Sequence, residues 1–184
     1  MNPMEFTPFP KIPRLSRDVI VTEKIDGTNA SIFISEEDDF LTGSRKRWIT
    51  PEDDNFGFSR WAHEHKNELM KLGPGHHFGE WWGSGIQRGY GLSKGEKRFS
   101  LFNVSRWSAD MLPQCVSLVP ILWRDNFDLL NGSLHAILED LRDYGSKAVP
   151  GFMQPEGIVV FHITGNITFK KTLEKDDEPK GLQP

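Results

Sequence analysis

The sequence holds a single cysteine, Cys115, so no disulfide can close within the chain and a four-cysteine zinc site is excluded. It also lacks any apolar run approaching the length of a membrane-spanning helix. The opening segment, MNPMEFTPFPKIPRL, has four prolines and no apolar stretch of the kind that marks a secretory signal. The expectation is a cytoplasmic protein with no membrane association. Positive charge is not in excess either: Lys and Arg number 22 against 26 Asp and Glu, a net charge of −4. That balance argues against a protein that coats nucleic acid non-specifically, while leaving room for a local basic groove. Internal repeats, low-complexity tracts and dividing linkers are missing too, so residues 1–184 are expected to form one domain with a core of its own.

What the chain does contain is a set of β-prone runs and two helical patterns. Prolines at 3, 8, 10 and 13 predict irregular backbone over residues 1–18. Val21–Ile34, VTEKIDGTNASIFI, reads as strand, Asp26-Gly27 turn and strand, a hairpin-like unit. Strands are further expected at 40–45, 76–82, 99–104 and 117–123, the last with an edge position or bulge at Pro120. A helix capped by Asp53, Asp54 or Asn55 should run to about Leu72. Leu134, Ile137, Leu138 and Leu141 follow helical spacing, with Gly145 as the stop. Residues 157–163 and 166–173 make a hairpin about Thr164-Gly165. The fold class is α+β, mostly antiparallel sheets with flanking helices.

Charged residues inside apolar strands need an explanation, because such residues are seldom buried without a partner. Lys24 ends an apolar run, Glu80 sits in FGEWWG, Glu156 opens EGIVVF, and Lys170 and Lys171 follow Phe169. Singly, each reads equally well as a strand-end charge in water, and Lys24 as a solvent-reaching lysine or a nucleophilic amine. Together they are a sparse set of carboxylates and cations suited to nucleotide and metal chemistry. Other motifs are weak. His63, His65, His76 and His77 lack metal-ligand spacing, and Gly83-Ser84-Gly85 lacks the lysine of a phosphate-binding loop. Trp48, Trp61 and Trp107 read as packing residues, and no Ser or Cys is placed for a hydrolytic triad.

The segments EKIDGTNA, FGEWWG, RFSLFNV, EGIVV and ITFKKT resemble, in order, motifs I, III, IIIa, IV and V of the covalent nucleotidyltransferases. That superfamily includes DNA ligases, RNA ligases and mRNA capping enzymes, and the form of motif I is most similar to the RNA ligase branch. The resemblance spans Glu23 to about Thr172 and implies an ATP-grasp-like adenylation domain. It implies an ATP-dependent polynucleotide ligase that joins 3′-hydroxyl and 5′-phosphate ends through a lysyl-AMP, with Mg²⁺ or Mn²⁺ and broken nucleic acid as substrate. By this resemblance Lys24 is the nucleophile and Lys170 grips the α-phosphate. Glu23 and Ile25 line the adenine pocket, and Asn29 and Arg45 contact phosphate. Glu80 meets the ribose or metal, Phe102 stacks on adenine, and Lys171 joins the nucleotide contacts. Glu156 and Asp26 serve the metal.

Two departures stand out. The motif V lysines are adjacent, where relatives often separate them by one residue, so Thr168 takes the other usual lysine position. Asn103 stands where relatives often have aspartate. Little sequence follows motif V, so neither an OB-fold nor a C-terminal helical domain is expected, and a partner protein could supply such a clamp. Arg88 and the basic loop to Arg98 are alternatives for phosphate contact, or a surface loop. A DNA-nick ligase, a GTP-dependent capping-type transferase and a non-catalytic binder of nucleotides or nucleic-acid ends stay open as other functions.

Overall fold

The computed structural model describes residues 8–174 and 176. Its first strand, β1 (Asp18–Lys24), has Val19, Ile20 and Val21 without solvent exposure, as expected of a strand covered on both faces. Irregular backbone precedes it from residue 8, and the part of that expectation falling on residues 1–7 lies outside the described residues. The chain continues through β2 (Thr28–Ile34), β3 (Phe40–Ser44), β4 (Trp48–Ile49), α1 (Phe58–Glu64) and α2 (Lys66–Leu69). It then forms β5 (Gly75–Gly83), β6 (Lys97–Leu101), β7 (Val116–Leu118), β8 (Ile121–Asn126) and α3 (Phe127–Tyr144). The hairpin of β9 (Gly157–His162) and β10 (Ile167–Thr172) follows, as expected.

These strands make two sheets, ordered β10-β9-β1-β8 and β4-β3-β2-β5-β6-β7. Pairing is antiparallel except between β6 and β7, so the class is α+β. Helix α3 lies on the four-stranded sheet, where Leu130, Leu138 and Leu141 pack on Val19, Val21, Ile158 and Val160. Asn126 caps it by accepting from the Asp128 N–H at 3.1 Å. Phe58 and Ala62 of α1 pack under the six-stranded sheet against Ile32, Trp81, Phe99 and Leu101. Between the sheets, Ile20, Ile25, Trp82, Tyr90, Val104 and Val119 form a third cluster.

The expected opening hairpin does not form. β1 and β2 belong to different sheets, and residues 25–27 carry the chain from one to the other. Gly27 does not adopt the positive φ of a hairpin turn. Its role is close approach: a Cβ there would lie 2.5 Å from the Trp81 carbonyl oxygen and 2.7 Å from the Trp82 Cβ. The expected strand at 117–123 is likewise two strands, β7 and β8, in different sheets. Pro120, which has no N–H to give to a ladder, stands at this second crossing, and its carbonyl accepts from the Glu23 N–H at 2.9 Å. The expected helix to Leu72 is interrupted at His65, whose φ and ψ of −100° and 13° are not helical. Asp54 supports its start by accepting from the N–H groups of Ser59 and Arg60 at 2.8 and 3.0 Å.

The crossing generates a paired prediction. Gly27→Ala should lower unfolding free energy by about 1–3 kcal/mol, because the added methyl meets backbone that cannot move freely. Gly132→Ala, inside α3 with nothing within 4 Å of the new Cβ, should raise it by about 0.5–1 kcal/mol. Urea titrations of both variants check the contrast.

Candidate active site

Lys24 ends β1 just before the crossing, so its side chain enters the gap between the two sheets. There Nζ forms an ion pair with Oε2 of Glu156, a carboxylate only 4% exposed that lies immediately before β9. Strand pairing explains the meeting, since Lys24 is opposite Gly157 on the neighbouring strand. The other sheet contributes Glu80, which is opposite Asn29. Its Oε1 accepts from the Gly27 N–H and its Oε2 from the Asn29 Nδ2, each at 3.1 Å. Burial pushes the Glu80 carboxyl up to about 7, against the opposing pull of the Lys24 charge and the Gly27 hydrogen bond. The cleft around these groups has a volume of about 650 Å³, with Ile25, Phe102, Val159 and Phe161 among its walls. Phe102 follows β6, is 40% exposed, and holds its place through an N–H to the Phe78 carbonyl at 3.0 Å.

Several expected site residues turn their side chains elsewhere. Glu23 borders the cleft as expected, but its side chain is on the face of β1 opposite Lys24, and its buried carboxylate accepts from Ser146 Oγ at 2.6 Å and from the N–H groups of Lys147 and Ala148 at 2.7 and 3.0 Å. Its side chain ties the loop after α3 to β1. Asp26 does not join Glu156 as a ligand pair: its Oδ2 accepts from Arg88 Nε at 3.0 Å. Arg88 also donates to the Gln154 carbonyl at 3.1 Å, so it fastens the crossing to the segment before Glu156. Of the basic loop, Lys97 donates to the Phe56 carbonyl and Arg98 pairs with Glu96. Arg45 is exposed at the end of β3 and does not line the cleft.

Register also separates the two adjacent lysines of β10. Lys170 is opposite Val159, which is opposite Thr22, and this row shares the cleft face with Lys24. Lys171 is opposite Ile158 and Glu23 and faces the other way, pairing with Asp176 at 3.0 Å. Thr168 lines the cleft. Phe169, on the face opposite Lys170, is 56% exposed, because β10 is the edge strand and the cluster under α3 draws its sheet residues from β1 and β9. Asn103 Oδ1 accepts from Ser105 Oγ and the Arg106 N–H at 2.9 and 3.0 Å and so closes its own turn. His63, His65 and His77 each bond a backbone carbonyl at 2.8–2.9 Å, and among the described residues no cluster of three or more metal-ligating side chains occurs.

One positioning residue was missed in the sequence. Tyr90, buried beneath the glycine-rich loop, accepts the Asp26 N–H at 2.9 Å through its hydroxyl and packs on Trp82 and Phe152 at ring distances of 5.0 and 4.6 Å. As one of only two tyrosines, set between glycines, it carried a signal: an aromatic with a polar tip amid turn residues. The Ser146 contact to Glu23 carried none, since 123 residues separate the two.

The raised Glu80 carboxyl generates a pH prediction. The folded protein binds this proton more tightly than the unfolded chain, so the associated stability is fully present below the unfolded value of 4.5 and lost as pH rises through about 7. By linkage the loss is on the order of 3 kcal/mol. Glu80→Gln should flatten the decline in unfolding free energy between those pH values, as measured by denaturant titration at a series of pH.

Comparison with known proteins follows the same outline. The RNA ligase family model matches residues 17–172, from the residue before β1 to the end of β10. Comparison with curated proteins gave no significant match. Among solved structures, Naegleria gruberi RNA ligase with PPi superposes with a TM-score of 0.62 at 23% identity, over 89% of this chain and 53% of that one. A mutant form of the same ligase with AMP and Mn gives 0.64 at 22% identity, over 90% and 53%. An archaeal ATP-dependent RNA ligase gives 0.61 at 18%, over 89% and 48%. These are likenesses of fold, and the chain spans about half the length of those structures. The family match takes in both sheets and every wall of the cleft, and the chain belongs to the RNA ligase family.

Proposed function

We propose that the protein is an ATP-dependent polynucleotide ligase of the RNA ligase type, with Lys24 as its adenylated nucleophile. The observation that carries this reading is the Lys24 amine held by the buried Glu156 carboxylate within a nucleotide-sized cleft. In the first step Nζ attacks the α-phosphorus of ATP, a P–N bond forms, and the bond to pyrophosphate breaks. The amine must first lose a proton, and Glu156, already hydrogen-bonded to it, is the acceptor within reach. Phe102 and Val159 offer apolar surface to adenine. Glu80 and Asn29, tied to each other, stand where a ribose or phosphate would be fixed. Lys170, on the cleft face, stabilises charge on the α-phosphate. AMP then passes to a 5′-phosphate end, and a 3′-hydroxyl displaces it to form the phosphodiester.

A divalent cation fits this donor set. Glu80 and Glu156 are buried carboxylates facing one lysine, which leaves negative charge for a cation to balance. Mg²⁺ is ordinarily held by one or two carboxylates together with substrate phosphates, so the absence of a larger ligand cluster among the described residues agrees with an ion that arrives with the nucleotide. Bound there, it would neutralise charge on the triphosphate. Structures of the Naegleria ligase hold ATP with Mn, AMP with Mn, and PPi, that is, the nucleotide donor, the group to be transferred and the leaving group of an adenylation. Asp26, committed to Arg88, and Lys171, on the opposite face, hold no ligand in this scheme.

Incubation with α-labelled ATP and Mg²⁺ or Mn²⁺ should label the protein, and Lys24→Ala should not label at all. No label across metals and pH would sink the reading; preference for GTP or NAD as donor would redirect it to a different nucleotidyltransferase. Lys170→Ala should slow labelling by roughly a hundredfold, the scale seen when one group serving a developing charge is removed, whereas Lys171→Ala should leave the rate unchanged. A panel of nicked and single-stranded RNA and DNA ends then identifies the strand that is sealed.

A further inference from the structure

The sheet face that carries Asn29 and Glu80 continues, away from the cleft, into a surface of aromatic rings. Phe78 is opposite Ser31, Ser31 opposite Gly43, and Gly43 opposite Trp48, so these positions lie in one row on one face. Phe33 and His76 form the next row. The rings make a continuous series: Phe78 and His76 stack at 5.4 Å, His76 and Phe33 are 4.6 Å apart, and Trp48 lies 6.2 Å from Phe33 and 5.9 Å from His76. Phe78 is 57% and Trp48 50% exposed. Gly43 lets the indole lie flat on the sheet, since a Cβ there would already stand 3.3 Å from the ring.

Charge at the two ends selects the occupant. Beside Trp48, the turn from β3 to β4 presents Arg45 and Lys46, both exposed and neither in an ion pair among the described residues. The turn from β2 to β3 presents Glu36, Glu37, Asp38 and Asp39. This distribution favours a polyanion that crosses the strands, from the cleft over Phe78 to Trp48 and out past Arg45, over one that runs along them to the acidic turn. Exposed ring faces with flanking cations suit unpaired bases on a phosphate chain. A duplex keeps its bases stacked inward and could offer only its backbone.

We propose that this face is a stacking platform for single-stranded RNA, which holds the nucleotides adjoining the end that enters the cleft. His76 and Phe78 belong to both surfaces, since they also line the cleft. The direction of the strand rests on the adenylation reading of the cleft; the platform itself does not.

The test is fluorescence anisotropy of a labelled single-stranded RNA of mixed sequence, without ATP, on the wild type and on Trp48→Ala. Trp48 is half exposed and outside the cleft, so the variant should fold, with a melting curve as the check, and should label with ATP as the wild type does. Its RNA affinity should fall about tenfold, the scale of one base stacked on one aromatic ring, with Trp48→Phe retaining most of the binding. A duplex of the same sequence should bind weakly and equally to both proteins. Unchanged single-strand affinity in Trp48→Ala overturns the platform, as does an equal loss for duplex, or a wild-type self-association that the substitution abolishes. Trp48-dependent binding by a protein that takes no label would keep the platform and refute the ligase reading; labelling with Trp48-independent binding would do the reverse.

Discussion

The ion pair between Lys24 and Glu156 is the constraint from which the arrangement of the cleft follows. A carboxylate as buried as Glu156 requires a partner, because burial without one costs several kcal/mol. The partner has to come from β1, the strand adjoining β9, and it has to be long enough to reach across. Lysine at the end of β1 meets both requirements and still keeps its side chain partly open to the cleft. Glu80, on the facing sheet, has no salt bridge of that kind among the described residues, and burial raises its carboxyl despite the nearby Lys24 charge. Under the proposed reading, polar burial that is marginal for stability would become affinity for cations and phosphates that arrive together.

A layer of hydrogen bonds behind the cleft keeps this balance in place. Glu23 holds the loop after α3, Arg88 clamps Asp26 to the Gln154 carbonyl, and Tyr90 takes the Asp26 N–H. These contacts fix the crossing between the sheets from both sides and so hold the backbone from which the Lys24 side chain departs. Among the described residues no buried side-chain polar atom is left without a partner, and a fully satisfied polar network of this kind rigidifies what it surrounds.

The parts of the fold that were legible from residues alone are those governed by local spacing. Helical periodicity at Leu134, Ile137, Leu138 and Leu141 found α3, and alternation on either side of Thr164-Gly165 found the last hairpin. The same alternation puts the adjacent Lys170 and Lys171 on different faces of β10. What local spacing could not reveal is which sheet a strand joins. Asp26-Gly27 has the composition of a hairpin turn, yet the glycine is there for proximity to Trp81 and Trp82, residues more than fifty positions on. The partners of the Glu23 and Asp26 carboxylates were hidden for the same reason, since their hydrogen-bond donors lie far along the chain.

The two lysines of the cleft sit on strands with unequal mechanical support. Lys24 belongs to β1, laddered on both sides by β8 and β9, whereas Lys170 belongs to β10, the outermost strand of that sheet. An element paired along one edge opens and shifts at lower free energy than one paired along two. Lys24 is therefore set in the stiff part of the sheet and Lys170 in the compliant part. Under the proposed ligase reading, a triphosphate, a lysyl adenylate and an adenylated nucleic-acid end would place their phosphorus at different points, and a contact that flexes about a fixed amine would follow all three.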